Sequence, residues 1–197
     1  MQLDNPERGF SYKVEGPLDL RMNPGEGISA AELLADMEAG ELTELFIENS
    51  DEPFAEQIAK TIVSFRKSGH APETTLQLRK IIEKALISAG IPQKEMKETL
   101  KKTCARCFQA LRMEVNHEYE SLYTLMSKLP GVMRPGGRIA VLTFHSGEDR
   151  LVKQAFKQYL KEGIFADAAR DVIRPSAKEC ADNSRAKSTK LRWAVMK

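Results

Sequence analysis

Residues 135–150, PGGRIAVLTFHSGEDR, decide how this chain is read. Pro135-Gly136-Gly137 makes a turn, and Arg138 to Phe144 is a short apolar run of the kind that forms a buried parallel strand. His145 to Arg150 then reads as a polar loop at that strand's carboxyl end. Leu151, Val152, Phe156, Tyr159 and Leu160 mark a helix after it. Strand, polar loop and helix make half of a βαβ unit, and in parallel α/β sheets ligands collect outside the carboxyl ends of strands. Leu191 to Met196, LRWAVM, alternates well enough for one further strand.

Upstream the period is helical. Ser29, with Glu32 as its capping-box partner, opens a helix striped by Ala30, Leu33, Leu34 and Met37, with Gly40 as its expected stop. A short segment with Leu42, Leu45 and Phe46 follows. Phe54, Ile58, Ile62 and Phe65 then recur at helical spacing until Ser68-Gly69-His70, and Pro72 confirms the break. Thr74 or Thr75 caps a helix carrying Leu76, Leu78, Ile81, Ile82 and Leu86, which stops at Gly90-Ile91-Pro92. From about Thr103 to Leu129 a long pattern predicts a helix with a bend or restart inside it, closed by Pro130-Gly131. The first 27 residues, interrupted by Pro6, Gly9, Gly16, Pro17, Pro24, Gly25 and Gly27, read as a loop.

The chain has 197 residues, 42% hydrophobic and 29% charged, which fits one sizeable globular domain or two small ones and excludes general disorder. No apolar run approaches the roughly 20 residues of a membrane span, and MQLDNPERGF lacks the apolar core of a secretory signal. A cytoplasmic protein with no membrane partner is the expectation. Three cysteines do not make a disulfide framework, so free thiols are expected. The net charge of +2 hides an uneven distribution: Ala31 to Glu56 holds nine acids and no Lys or Arg, whereas Asn183 to Lys197 holds five Lys or Arg and no acid. The acidic block should repel RNA phosphates, and the basic tail should attract them.

Two stretches could carry chemistry. RGFSYKVEGPLDLRM, residues 8–22, interleaves Phe10 and Tyr12 with Arg8, Lys13 and Arg21. Aromatics among cations can stack a base and hold its phosphate; the competing reading is a structural loop with two half-buried aromatics, which composition alone favours. In the second stretch, Glu148 and Asp149 either serve a site or cap the helix that follows, and His145 is the more telling residue. Cys104-x-x-Cys107 falls inside a helical pattern with no second pair at finger spacing, so it reads as one helix face and no metal site is expected. No nucleophile motif, phosphate-binding glycine loop or dinucleotide fingerprint is present.

Several stretches in this order resemble the bacterial small-subunit ribosomal RNA methyltransferase H family: Gln2-Leu3-Asp4, Arg8 to Tyr12, Gly16 to Met22, Phe108 to Arg112 with Val115-Asn116, Pro135 to Arg138, Phe144 to Arg150, Arg174-Pro175-Ser176, and Arg185 to Ser188 with Leu191-Arg192. The PLDLRM, FQALR and FHSGEDR set is specific, and the resemblance covers essentially the whole chain. It implies an α/β fold: the carboxyl-terminal half of a Rossmann-like class I methyltransferase sheet with an all-helical inserted domain. Residues 1–11 would be a loop remnant, 12–103 the insertion and 104–197 the half sheet domain. The implied activity is S-adenosylmethionine-dependent methylation of the exocyclic amine of a cytidine, with small-subunit ribosomal RNA or the ribosomal subunit as partner. Carried over by motif, Asp19, His145 and Ser146 would be catalytic and line the base pocket. Gln2 would touch the cofactor, and Phe10, Tyr12, Arg21, Glu148, Asp149 and Arg150 would bind substrate.

The chain departs from the family in four places, one of them Asn23, where the family often has aspartate. The glycine-rich cofactor loop, which in the family precedes the position of Gln2, is absent; Glu56 and Gln57 stand where the family carries arginines; and Gly147 stands where it has leucine. Two further readings stay open beside the enzyme: a catalytically inactive remnant acting as an RNA-binding or interaction module, and an enzyme completed by a separate chain or a homodimer partner.

Overall fold

The computed structural model describes residues 5–197. The protein is mixed α/β, mostly helical, with one small three-stranded sheet, and it separates into two compact units, Met1–His117 and Glu118–Lys197. No helix among the described residues is long and apolar enough to cross a membrane.

The first unit is helical. Ser29 caps α1 (Ala30–Asp36) through the full capping box with Glu32. Gly40 does not end a helix as its residue type suggests. Glu38 makes a capping box of its own with Glu41 and starts α2 (Ala39–Ser50), so Gly40 lies in that helix's first turn, where it needs no left-handed backbone. α3 (Ala55–Lys67) and α4 (Thr75–Ser88) follow, the latter capped by Thr74. Next, α5 (Gln93–Val115) begins ten residues before the expected start, because Met96 and Leu100 extend its buried face. These helices bury one core built around Leu34, Phe46, Ile62, Ile82 and Leu111. Cys104 and Cys107 belong to this core, and all three cysteines are free. Burial pushes the Cys104 thiol up to about 12 and Cys107 well above its ordinary value, so neither forms a thiolate readily.

The expected restart falls at Asn116 and His117, where His117 takes a positive φ, and α6 (Glu118–Val132) opens the second unit. Pro130 does not close this helix but sits inside it. A proline has no N–H for the carbonyl four residues back, which is that of Met126. The Tyr159 hydroxyl donates to that carbonyl at 3.0 Å instead. Tyr159→Phe should therefore cost the second unit about 1 to 2 kcal/mol, the desolvation cost of an unsatisfied carbonyl. Urea unfolding followed by the single tryptophan, Trp193 of this unit, measures it, and an unchanged midpoint would refute the substitution of one donor by the other.

The strand expected at 138–144 is β1 (Arg138–Thr143), but it is neither buried on both faces nor flanked by parallel neighbours. It pairs antiparallel with β3 (Lys190–Met196), and β2 (Phe165–Ala168) pairs antiparallel with the other side of β3, giving the order β1-β3-β2. β1 and β2 therefore run in the same direction, joined through α7 (Ser146–Lys161), and β3 returns between them. The βαβ connection is present with a reversed strand inserted. α6 and α7 cover one face of the sheet, with Met126, Leu129, Val152 and Phe156 packing on Phe165, Ala168 and Ala194. The opposite face carries Ala140, Trp193 and Val195 around a cavity of about 510 Å³. A short α8 (Ala177–Asp182) precedes β3.

Candidate active-site elements

In the first unit, the loop of residues 6–27 is held by backbone contact. Gly9 has φ +70°, and a Cβ there would stand 2.2 Å from the Pro17 carbonyl oxygen; at Gly16 it would stand 2.0 Å from that of Pro6. Only glycine lets these two segments cross. Leu18 and Leu20 enter the core on either side of Asp19. The carbonyls of Asp19 and Leu18 accept the Ala30 and Ala31 N–H groups at 2.8 and 2.9 Å, which fixes the segment to the start of α1. Leu20 adopts φ +64°, a strained region for a branched residue. It is held there because Asn116 Nδ2 donates to the Leu20 carbonyl at 2.8 Å while its Oδ1 accepts the Met22 N–H. Arg8 adds donors to the carbonyls of Arg21 and Met22, both at 2.8 Å.

Within this frame Arg21, expected on the substrate, instead pairs with Asp19. Arg21 Nε and Nη2 donate to the two Asp19 oxygens at 2.6 and 3.1 Å, and Nη1 donates to the Gly27 carbonyl at 3.1 Å. The guanidinium hydrogen bonds hold the Asp19 carboxyl below its ordinary range against the opposing effect of burial. Asp19 is thus an ionised acceptor, and Arg21 is spent in positioning it. The two aromatics part company. Phe10 is a core residue at 8% exposure and has no ring face to offer a base. Tyr12 packs edge-on against Phe108 and lines a cavity of about 210 Å³ with Lys13, Arg79, Lys97 and Lys101. Aromatic and cations therefore do come together, but two of the cations are on α5 and one on α4, far from Tyr12 in sequence.

In the second unit, the polar stretch after β1 is helix rather than loop: α7 starts at Ser146, with His145 as its N-cap. The Glu148 N–H donates to His145 Nδ1 at 3.4 Å, and Glu148 Oε2 accepts from Phe144 N–H at 2.8 Å and His145 N–H at 3.4 Å. This reciprocal cap closes the free N–H groups of the helix start. Burial raises the affinity of Glu148 for its proton, yet the adjacent His145 ring and the N–H groups of Phe144 and His145 outweigh it and leave the carboxyl below its ordinary range. Because Nδ1 accepts, a neutral ring carries its hydrogen on Nε2. That buried nitrogen lies 3.4 Å from Glu148 Oε1 without hydrogen-bond geometry. Glu118, His145 and Glu148 bring possible ligand atoms within 4.8 Å of one another, but ligation through Nε2 would require the other tautomer and break the cap.

Tyr119 stands against this ring, its own ring centre 6.2 Å away, and its hydroxyl fills the space of a Gly147 side chain, 1.8 Å from where a Cβ would lie. Ser146 is exposed at the first position of α7. Asp149 does not face outward toward a substrate. Arg192 of β3 donates to both its oxygens, at 2.7 and 3.2 Å, and Lys190 lies 3.6 Å away. Arg150 is exposed on the helix surface, and Gln2 lies outside the described residues. Arg192, Asn116 and Arg8, which hold these elements in place, have partners distant in sequence, and no local spacing announces such pairings.

A nucleoside cofactor such as S-adenosylmethionine is commonly held by a glycine-rich turn after a strand and by an acid that accepts from its ribose hydroxyls. Here α7 and α8, the helices that follow strands among the described residues, are both capped by their own side chains, His145 and Ser176. Neither helix start therefore leaves free N–H groups for a ligand.

The MraW methylase family matches this chain over residues 1–197. Ribosomal RNA small subunit methyltransferase H 1 of Agathobacter rectalis is 59% identical over 99% of the chain and 55% of its own length. The protein of the same name from Lachnoclostridium phytofermentans is 56% identical over 99% of the chain and 53% of its own length. Ribosomal RNA small subunit methyltransferase H of Acidovorax ebreus is 39% identical over 98% and 64%. The chain spans about half the length of the first two relatives.

Proposed function

The chain belongs to the MraW methylase family, and from that premise we propose that it is the carboxyl-terminal part of an enzyme that transfers a methyl group from S-adenosylmethionine to the exocyclic amine of a cytidine in small-subunit ribosomal RNA. The observation that carries this is 59% identity, over 99% of the chain, to a protein named for methylating that class of RNA. In the whole protein, β1 and β2 would be strands of a Rossmann-like sheet, residues 12–103 an insertion into it, and 104–197 the half of the sheet domain that follows. The cofactor would be held mainly by the length of the relatives that the match does not span, with Gln2 its contact from this side.

The roles follow from what each side chain offers. A cytosine amine is a poor nucleophile because its lone pair is delocalised into the ring, so the site must accept a hydrogen bond from the amine and hold it in line for attack. In the first unit Asp19, ionised and fixed by Arg21, is the acceptor we assign; in the second unit, taken by itself, His145 and Ser146 are the polar groups we assign to the base. Tyr12 keeps the stacking role. Glu148 and Asp149 act by fixing α7, and Arg150 by meeting phosphate.

The test is a hybrid in which the missing part of the Agathobacter rectalis relative is joined to this chain. The chain alone should show no calorimetric binding of S-adenosylmethionine, whereas the hybrid should methylate small-subunit ribosomal RNA. Asp19→Asn and His145→Ala should each lower its kcat/KM by about a hundredfold or more. Unchanged rates would overturn these roles, and an inactive hybrid would favour the remnant acting as an interaction module.

A further inference from the structure

The cations of α7 lie in a row. Arg150, Lys153, Lys157 and Lys161 stand at i, i+3, i+7 and i+11, all exposed, along the flank of the buried stripe of Val152 and Phe156. The row is about 16 Å long at the helical rise. Beside it runs a groove of about 290 Å³ whose walls include Lys153, Lys157 and Arg170 and whose floor includes Phe156, Leu160 and Ala168.

Two observations separate this row from an ordinary solvated face. On the first unit's helices Lys60 pairs with Glu56 and Lys102 with Glu98, each one turn away. The acids of α7, Glu148 and Asp149, are already engaged, the first in the helix cap and the second by Arg192 and Lys190. Glu162, just past the helix, takes the Gln158 amide. Lys153, Lys157 and Lys161 then repel one another at successive i, i+4 spacings, an arrangement that weakens the helix carrying it. A face needing only solubility would alternate its signs. Unmatched cations along an apolar groove suit a polyanion that also carries flat, weakly polar groups.

We propose that this row and groove bind the phosphodiester backbone of RNA, with a ribose or base edge against Leu160. The proposal rests on the reading that the family acts on ribosomal RNA, and it extends from Arg150, already assigned to phosphate, to Lys153, Lys157, Lys161 and the groove, which carry no other assigned role.

Binding of the full chain to labelled single-stranded oligocytidine, between about 50 and 200 mM salt, tests it. Lys153→Glu with Lys157→Glu should weaken binding by about tenfold or more and lower the slope of log K against log salt by about 1.4, two phosphates at roughly 0.7 each. Lys60→Glu with Lys67→Glu makes the same change of charge on α3 and should leave both quantities within about twofold. Matched far-ultraviolet dichroism shows that both variants are folded. Equal losses in the two variants, or none in the first, overturn the surface. No binding by the unmodified chain also overturns it, while the catalytic reading stands or falls separately on the hybrid's methylation rate.

Discussion

Asp149→Ala is expected to cost the second unit about 3 to 5 kcal/mol, the penalty for removing one partner of a buried ion pair. Arg192 is 6% exposed and keeps its charge, so losing the carboxylate leaves a guanidinium without its counter-ion between α7 and β3. In a unit of this size that is a large share of total stability. Trp193, adjacent to Arg192, should report the change as an early fluorescence transition, with the first unit's helical dichroism little affected. Adding Arg192→Met should recover most of the loss, because the uncompensated charge and not the missing attraction dominates. The same pair sets a pH dependence. Burial raises the Asp149 pKa, but the hydrogen bonds and charge of Arg192, with Lys190, outweigh this and hold it below the ordinary range. A depressed carboxyl stabilises fully above its unfolded value of about 3.9 and loses that contribution as pH falls through the folded value. The unmodified protein should therefore weaken steeply below about pH 4, and the Asp149→Ala variant less steeply. A Trp193 transition unmoved by Asp149→Ala would show that the pair contributes nothing.

Gly9→Ala should be nearly as damaging in the first unit, and a second glycine shows why. Gly27 has almost the same positive φ as Gly9, +68° against +70°, but open space where its Cβ would stand. Alanine at Gly27 should then cost only the left-handed backbone, about 1 kcal/mol. At Gly9 the same methyl meets the Pro17 carbonyl at 2.2 Å, which must move and take Leu18 and Asp19 with it. The expected cost is about 3 kcal/mol or more. Thermal unfolding followed by helical dichroism distinguishes the two, and equal losses would mean that the crossing of residues 9 and 17 is not tight. In the hybrid enzyme, Gly9→Ala should also lower methylation, since Asp19 moves with the Pro17 segment.

How far the chain could be read depended on whether a pattern was local. Capping at Ser29 and Thr74, the helical stripes, and the strands at 138–143 and 190–196 are written in neighbouring residues, and each is found. Direction was not: RIAVLT looks like a strand between parallel neighbours, but its partner is the reversed β3, and nothing within six residues encodes which edge another segment will take. β2, four residues of FADA, has too short a period to register. Proline at 130 read as a stop because its missing donor is local, whereas the hydroxyl that replaces it comes from Tyr159. The candidate site divides the same way. Asp19, Arg21, His145 and Glu148 are each legible in local motifs, and their pairings, two and three residues apart, emerge in the fold. The burial of Phe10 and the capture of Asp149 by Arg192 depend on residues that only folding brings near.

The strand order has one more outcome. β1 lies at the margin of its sheet, and among the described residues no strand pairs with its outer side. Its six residues, RIAVLT, carry a single charge, and Leu142 and the following Phe144 are about half exposed. Such a margin is a template for a strand from another molecule, and it lacks the central charge, proline or bulge that would discourage one. Concentrated preparations should accumulate intermolecular β-structure seeded at β1, seen as a growing low-frequency amide I infrared band and slowed by a lysine at Ala140.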